Sequence, residues 1–268
     1  MGQPRFRHEL KYVIPLDRAN QIVEELALEC DTDKHADETA SYEIASVYYD
    51  TADFQFYVDR EESVAYRRKI RLRSYNKNGE SQALFIEIKE KHRQFVAKKR
   101  INLESKELLE LGIPHHRLPL DLVLDYVTDS AEARELHYLH KRLKLEPMVI
   151  VRYVRKALIP KYEHDMRVTL DTRVTAGGEY LQRYVSEDEH FCVDPAMGIF
   201  EVKSNTGIPL WLQTALMRHE LTQTRASKYC LAMDAAFKEK KPWLRTAENQ
   251  IPDIATEQPS AERFRKVG

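Results

Sequence analysis

Charged side chains recur at every second position along several segments of this chain, and no other feature constrains its fold as strongly. Side chains alternate faces along a β-strand, so a two-residue repeat assigns each residue to a face. In residues 64–74, Arg67, Lys69, Arg71 and Arg73 share one face. In residues 83–90, Glu87 and Lys89 share a face, while Leu84, Ile86 and Ile88 take the other. Residues 95–103 align Lys98 with Arg100 and set Ile101 and Leu103 opposite. Arg7, Glu9 and Lys11 align in a first strand, and Arg155, Arg167 with Asp171, and Glu201 with Lys203 repeat the pattern later. On these faces twelve basic residues stand against four acidic ones, in a chain whose formal net charge is −1.

Such a repeat has two readings. One is an antiparallel sheet with one face on a core and the other in water. Solvated faces usually mix both signs with Ser, Thr and Gln, whereas here arginine and lysine dominate strand after strand. The other reading turns the apolar faces outward to helices and lines a water-filled interior with charge. That interior tolerates its own repulsion only when water or a polyanion screens it. Its natural occupant carries several phosphates, with a divalent metal bridging phosphate oxygens to a glutamate. On the pattern alone both readings stand.

Composition removes other classes. The 268 residues are nominally just under two domains at roughly 150 each, but a closed β architecture can use such a length as one. Charged residues make up 32% and hydrophobic ones 43%, an ionic globular composition. Lys+Arg number 42 against 43 Asp+Glu, which excludes the basic signature of a general nucleic-acid binder. No apolar run approaches the ~18 residues of a membrane span. The start of the chain lacks a hydrophobic signal core, so the expected compartment is the cytoplasm. Cys30, Cys192 and Cys230 are isolated and offer neither a disulfide framework nor a zinc ribbon. Neither G-x-x-x-x-G-K-[ST] nor G-x-G-x-x-G occurs, so any phosphate is held by side chains.

Strands are expected over residues 5–14, 42–49, 64–74, 83–90, 95–103, 148–158, 166–171 and 198–204. Asn78-Gly79 marks a hairpin and Gly177-Gly178 a turn. Helices are expected over residues 18–29 with Asp17 as N-cap, 54–59, 105–111, 129–144, from Pro209 to about Glu220, and from a Thr224 cap to about Lys238. Residues 1–240 read as one domain and 241–268 as a polar tail. His137 and His140, three apart on a helix, and His115-His116 in a loop lack a third ligand at metal spacing and read as surface. Trp211 reads as packing against the barrel.

One ordered set of motifs goes further: Leu10-Lys11-Tyr12-Val13, Val47-Tyr48-Tyr49-Asp50, Ile70-Arg71-Leu72-Arg73, Phe85-Ile86-Glu87-Ile88-Lys89, Lys98-Lys99-Arg100, Tyr153-Val154-Arg155-Lys156-Ala157, Arg167-Val168-Thr169-Leu170-Asp171-Thr172, Glu201-Val202-Lys203 and Ser227-Lys228-Tyr229. In this order, over about residues 5–238, the chain resembles the VTC domain. That is the catalytic domain of the vacuolar transporter chaperone polyphosphate polymerase, in the triphosphate tunnel metalloenzyme (CYTH-like) superfamily. The resemblance implies an α+β fold, an antiparallel eight-stranded β-barrel tunnel with flanking helices. It also implies transfer of the terminal phosphoryl of ATP to a growing polyphosphate chain. The family's phosphate-contacting bases fall on Lys11, Arg71, Arg73, Lys89, Lys98, Arg155, Arg167 and Lys228. Its metal-binding glutamate falls on Glu201, for Mn²⁺ or Mg²⁺, and its tyrosine on Tyr153. Arg100 and Lys203, picked out by parity, join Tyr153 as substrate-binding. Lys228 rests on the resemblance alone, since Ser-Lys opening a helix has an ordinary reading as a solvated first turn. Glu9 and Glu87 have two open roles, in metal binding through water or as partners of Lys11 and Lys89.

Two alternative functions stay open. A tunnel triphosphatase would use the same interior with water as the attacking group. CYTH-type members start E-x-E-x-K, whereas here Arg7 stands where the first glutamate would be, which favours a more basic tunnel. A non-catalytic polyphosphate-binding module is the other. No side-chain nucleophile is evident, so direct in-line transfer is expected. The eukaryotic polymerase subunits add a regulatory domain before this one and membrane helices after it. This chain reads as a stand-alone domain, with any membrane-protein partner unidentified. The expected partners are ATP and inorganic polyphosphate, with no nucleic acid.

Overall fold

The computed structural model describes residues 8–33, 36–77, 80–93, 95–103, 105–113, 118–177 and 189–237. Arg7, Asn78-Gly79, Gly178, His115-His116 and the expected tail lie outside the described residues. The strands are β1 (His8–Pro15), β2 (Cys30–Thr32), β3 (Ser41–Asp50), β4 (Tyr66–Lys77), β5 (Glu80–His92), β6 (Phe95–Asn102), β7 (Glu146–Pro160), β8 (Arg167–Gly177), β9 (Glu189–Phe191) and β10 (Met197–Ser204). The helices are α1 (Leu16–Leu26), α2 (Gln55–Glu61), α3 (Ser105–Glu110), α4 (Leu120–Leu124), α5 (Ala131–Leu143), α6 (Leu210–Arg218) and α7 (Lys228–Ala236).

One antiparallel sheet runs in the order β1-β10-β8-β7-β3-β4-β5-β6, with β2 added on β7 and β9 on β8. The α+β class with flanking helices is the expected one. The sheet differs from a closed eight-stranded barrel. Among the described residues it has ten strands, and its end strands β1 and β6 share no backbone ladder. The sheet curls nonetheless. Lys89 on β5 reaches Glu9 on β1 at 3.1 Å, a contact possible only if the ends of the strand order approach each other. The seam is further covered by the segment before α7, whose Thr224 N–H donates to the Lys11 carbonyl at 2.7 Å. An ion pair and a loop hydrogen bond thus bridge an edge that has no strand ladder.

Apolar residues face outward on both flanks. Ile70, Leu72, Ile86, Ile88 and Ile101 pack against Val123, Leu136 and Leu139 of α4 and α5. Val168, Leu170, Phe200 and Val202 pack against Ile22 and Leu26 of α1 and Leu212 and Leu216 of α6. Helix α5 starts where the Ser130 side chain accepts from the Ala133 N–H at 3.0 Å and stops where Lys144 turns left-handed at φ 53°. Gly198 permits the closest approach, since a Cβ there would stand 2.8 Å from the Leu170 side chain.

A third cluster corrects the expectation of a fully charged interior. Tyr42, Ile44, Tyr48, Val149, Val151, Tyr153 and Val174 pack against Tyr229, Cys230 and Met233 of α7. Tyr42, Ser46 and Tyr48 share a strand face that meets the inner bases, so α7 lies inside the curl and fills part of it. The cap of that helix is Ser227, which accepts from the Cys230 N–H, and not Thr224. Helix α1 likewise begins after Pro15 with no side-chain cap from Asp17. The short β2, β9 and α4 carry too few residues for a periodic signal and were not anticipated.

Candidate functional site

The inner wall is organised by buried carboxylates, each holding more than one base. Glu87 on β5 is 1% exposed. Its Oε2 accepts from Arg71 Nε at 2.9 Å and Nη2 at 2.7 Å, and Arg73 Nη1 stands 3.7 Å away. Its Oε1 meets Lys98 at 2.5 Å and Arg100 at 2.9 Å. Burial alone would push this carboxyl up; Arg71, Arg73 and Lys98 outweigh burial and hold it well below the usual carboxylate range. Sheet pairing sets the geometry, because Arg71 and Arg100 are the cross-strand partners of Glu87 on β4 and β6.

Asp171 on β8 is the second hub. Its cross-strand partner Arg155 forks onto both oxygens, Nε to Oδ1 at 2.6 Å and Nη2 to Oδ2 at 2.7 Å. Lys228, at the start of α7, adds 2.5 Å to Oδ2 and lies 4.7 Å from the Tyr153 ring. Again burial raises and Arg155 and Lys228 lower, leaving Asp171 depressed. Lys228 is therefore inside the curl, and the solvated-first-turn reading of Ser227-Lys228 does not hold.

Glu201 on β10 is the third. Lys203 meets its Oε2 at 2.6 Å, and Lys11, its partner across β1, stands 3.3 Å from Oε1. Burial, and then Arg155, pull Lys203 down to about 7 despite Glu201. Lys11 also contacts Glu9 at 3.1 Å and donates to the Ala226 carbonyl at 3.2 Å. Glu9 bridges Lys11 and Lys89.

Neutral donors and acceptors fix the remaining forks. Arg73 donates to Ser46 Oγ at 3.2 Å and Tyr153 Oη at 3.1 Å, and Arg71 to Tyr48 Oη at 3.0 Å. Arg167 sits nearer solvent, on Asp33 and on Tyr42 Oη at 2.7 Å. The structure thus brings Lys11, Arg71, Arg73, Lys89, Lys98, Arg100, Tyr153, Arg155, Arg167, Glu201, Lys203 and Lys228 to one inner wall. Arg73, Arg155 and Lys228 lie deep, while Lys89, Lys98, Arg100 and Arg167 stand nearer the openings. Parity could have nominated Ser46 and Tyr48 as well, which share the face of Tyr42. Asp33 follows a three-residue strand and carried no signal. Lys69, on the face of Arg71, donates to Ser227 Oγ at 2.5 Å and so fastens α7 to the wall. His140 pairs with Asp121 at 2.6 Å on the outer helices, away from the inner wall.

Among the described residues no group of three or more His, Cys, Asp or Glu is placed to hold a metal. Glu9 and Glu201 nevertheless share the ammonium of Lys11, and the buried Glu201 Oε1 has no hydrogen-bond partner. Two hard oxygen donors of this kind suit Mg²⁺ or Mn²⁺, ions that usually complete their shell with phosphate and water.

The fold and site define a class of protein: a curled antiparallel sheet whose inner wall sets cations on buried carboxylates. The chain belongs to the VTC domain family, whose model matches residues 6–237. No curated protein matches it by sequence. Similar solved structures include the PH1819 protein of Pyrococcus horikoshii OT3, at 12% identity and TM-score 0.46, covering 85% of this chain and 99% of that one. Another is a putative adenylyl cyclase from Hippeastrum described as having a dominant triphosphatase activity, at 14% identity and TM-score 0.48, covering 85% and 95%. A putative adenylate cyclase from Bacillus halodurans stands at 14% identity and TM-score 0.48, covering 83% and 95%. What those names say holds for those proteins. No helix among the described residues is long and apolar enough to cross a membrane.

Proposed function

We propose that this chain is a metal-dependent polyphosphate polymerase, which moves the terminal phosphoryl of ATP onto the end of a polyphosphate chain inside the curl. The observation that carries the reading is the sharing of each inner carboxylate among several bases. Glu87 serves Arg71, Arg73, Lys98 and Arg100, so the wall keeps a net positive charge while every fork stays positioned.

Phosphoryl transfer asks a protein mainly for positioning and charge stabilisation. The Arg71, Arg73 and Arg155 guanidiniums hold phosphate oxygens bidentately, and Lys11, Lys98 and Lys228 act as point charges. Their carboxylate partners pre-orient them, so little reorganisation accompanies binding. Glu201 with Glu9 would hold Mg²⁺ or Mn²⁺, which when bound draws charge from phosphate oxygens and aligns them. Lys11, between those carboxylates, neutralises them until the metal and phosphates arrive. The Tyr153 ring, under Arg155 and Lys228, keeps both cations at depth.

Purified protein with ATP and Mn²⁺ or Mg²⁺, products resolved by chain length, tests the reading. Polymerase activity gives ADP and growing chains. ADP with orthophosphate alone would replace it with a tunnel triphosphatase, and no turnover with retained polyphosphate binding would leave a binding module.

A further inference from the structure

We propose that Arg67 and Lys91, with Arg225 beside them, form an outer phosphate subsite at one mouth of the curl, which holds the distal phosphates of an inorganic polyphosphate chain; this rests on the polyphosphate reading above. Arg67 and Lys91 are direct cross-strand partners on β4 and β5. They continue the inner face one step beyond Lys69 and Lys89, which are also paired. Like charges directly opposite one another destabilise a sheet unless something answers them. Deeper in, carboxylates do: Arg71 and Lys98 have Glu87, Arg155 has Asp171, and Lys89 has Glu9.

At the mouth that pattern stops. Among the described residues, none of Arg67, Lys91 and Arg225 has a carboxylate within ion-pair distance; Asp59 and Glu9 act on Arg67 and Lys91 only from farther away. The inner position across from Lys91 on β6 is Val96, so no acid answers from that side. Burial first, and then Arg67, Lys89 and Arg225, lower the ammonium pKa of Lys91, with Glu9 opposing. Side chains at these positions remain partly open to water. A mobile anion is the partner this proposal assigns to them. Arg67 and Arg73 lie six residues apart on β4, about 20 Å of strand. A ligand that touches both is an extended chain longer than one triphosphate. An anion bridging Arg67 and Lys91 relieves their repulsion, and its continuation inward meets Lys89, Lys98 and Arg71.

The test compares the full chain with its R67Q/K91Q double variant, binding tripolyphosphate and a defined inorganic polyphosphate several times longer. The K91R variant serves as the charge-preserving control. The proposal predicts that tripolyphosphate affinity stays within about twofold and long-chain affinity falls about tenfold or more, the order for losing two contacts to charged groups. It also predicts a shallower salt dependence for the long chain and parent-like binding by K91R. Unchanged long-chain affinity, or an equal loss for both ligands, overturns the subsite while leaving the wider reading intact. A parent protein that binds neither ligand overturns the polyphosphate reading itself, and the subsite with it.

Discussion

The energetic weight of the interior falls on a few carboxylates. Removing one partner from a buried ionic cluster leaves uncompensated charge, at about 3–5 kcal/mol where the partners are buried. Glu87→Gln is expected near the lower end of that range, because Lys98 and Arg100 reach water. Thermal unfolding against pH checks this. Glu87 and Asp171 have folded pKa values below their unfolded ones, so the stability they contribute is full above the unfolded carboxylate range. It is lost as pH falls from about 4 toward the folded values, and Glu87→Gln flattens that fall. Glu201→Gln is expected to differ, keeping the fold while losing metal-dependent turnover. Lys11 retains Glu9, and Lys203, already at about 7, sheds its proton at little cost. Normal activity of that variant at saturating Mn²⁺ would place the metal on another carboxylate. Legibility at this scale followed periodicity. Arg71, Arg73, Lys89, Lys98 and Arg100 were readable because a strand has a period of two. Asp33 was not, because it follows a three-residue strand too short for a periodic signal. Tyr42, Ser46 and Tyr48 share a readable face, but which base each hydroxyl meets depends on which strands the sheet sets side by side.

Among the elements, α7 most changes the picture that the pattern suggests. It lies inside the curl, tied to the wall by Lys228 on Asp171, Lys69 on Ser227 and Tyr229 stacked on Tyr48 at 4.9 Å. Tyr229 also donates to Asp50 at 2.5 Å, while Thr51, Phe56 and Tyr57 N–H groups donate to the same carboxylate. Burial pushes Asp50 up to about 6, against these hydrogen bonds. Tyr229→Phe removes the shortest of these hydrogen bonds, and a stability loss of about 1–3 kcal/mol by denaturant unfolding is expected. A loss near zero would mean that Thr51 and the first turn of α2 suffice to hold Asp50. Nothing in the α7 sequence announces this inner position, since its alternation of small and large apolar residues fits packing on either side of a sheet. The inner placement explains why Ser227-Lys228, read by itself, looks like an ordinary helix start. The flanking helices were more legible, because Ile22 and Leu26, and Leu136 and Leu139, lie at helical spacing and meet outward apolar strand faces.

For the whole molecule, a chain of formal net charge −1 sets more bases than acids on its concave wall. On the proposed reading, that excess of cations is costly without an anion and favourable with one, so stability is expected to be linked to polyanion binding. Melting temperature is expected to rise with added tripolyphosphate, and to rise less as salt increases. The wall extends from Arg73 and Arg155 at depth to Lys89 and beyond, so on the proposed reading each further phosphate would meet further cations. Affinity for inorganic phosphates should therefore climb with chain length past three and weaken as salt is raised, because the contacts are ionic. The most direct measurement is a titration of the full chain with orthophosphate, tripolyphosphate and longer polyphosphates at two salt concentrations. A steady gain in affinity beyond tripolyphosphate, larger at low salt, is the predicted result. A plateau at tripolyphosphate, or affinities indifferent to salt, would contradict an interior built for a chain.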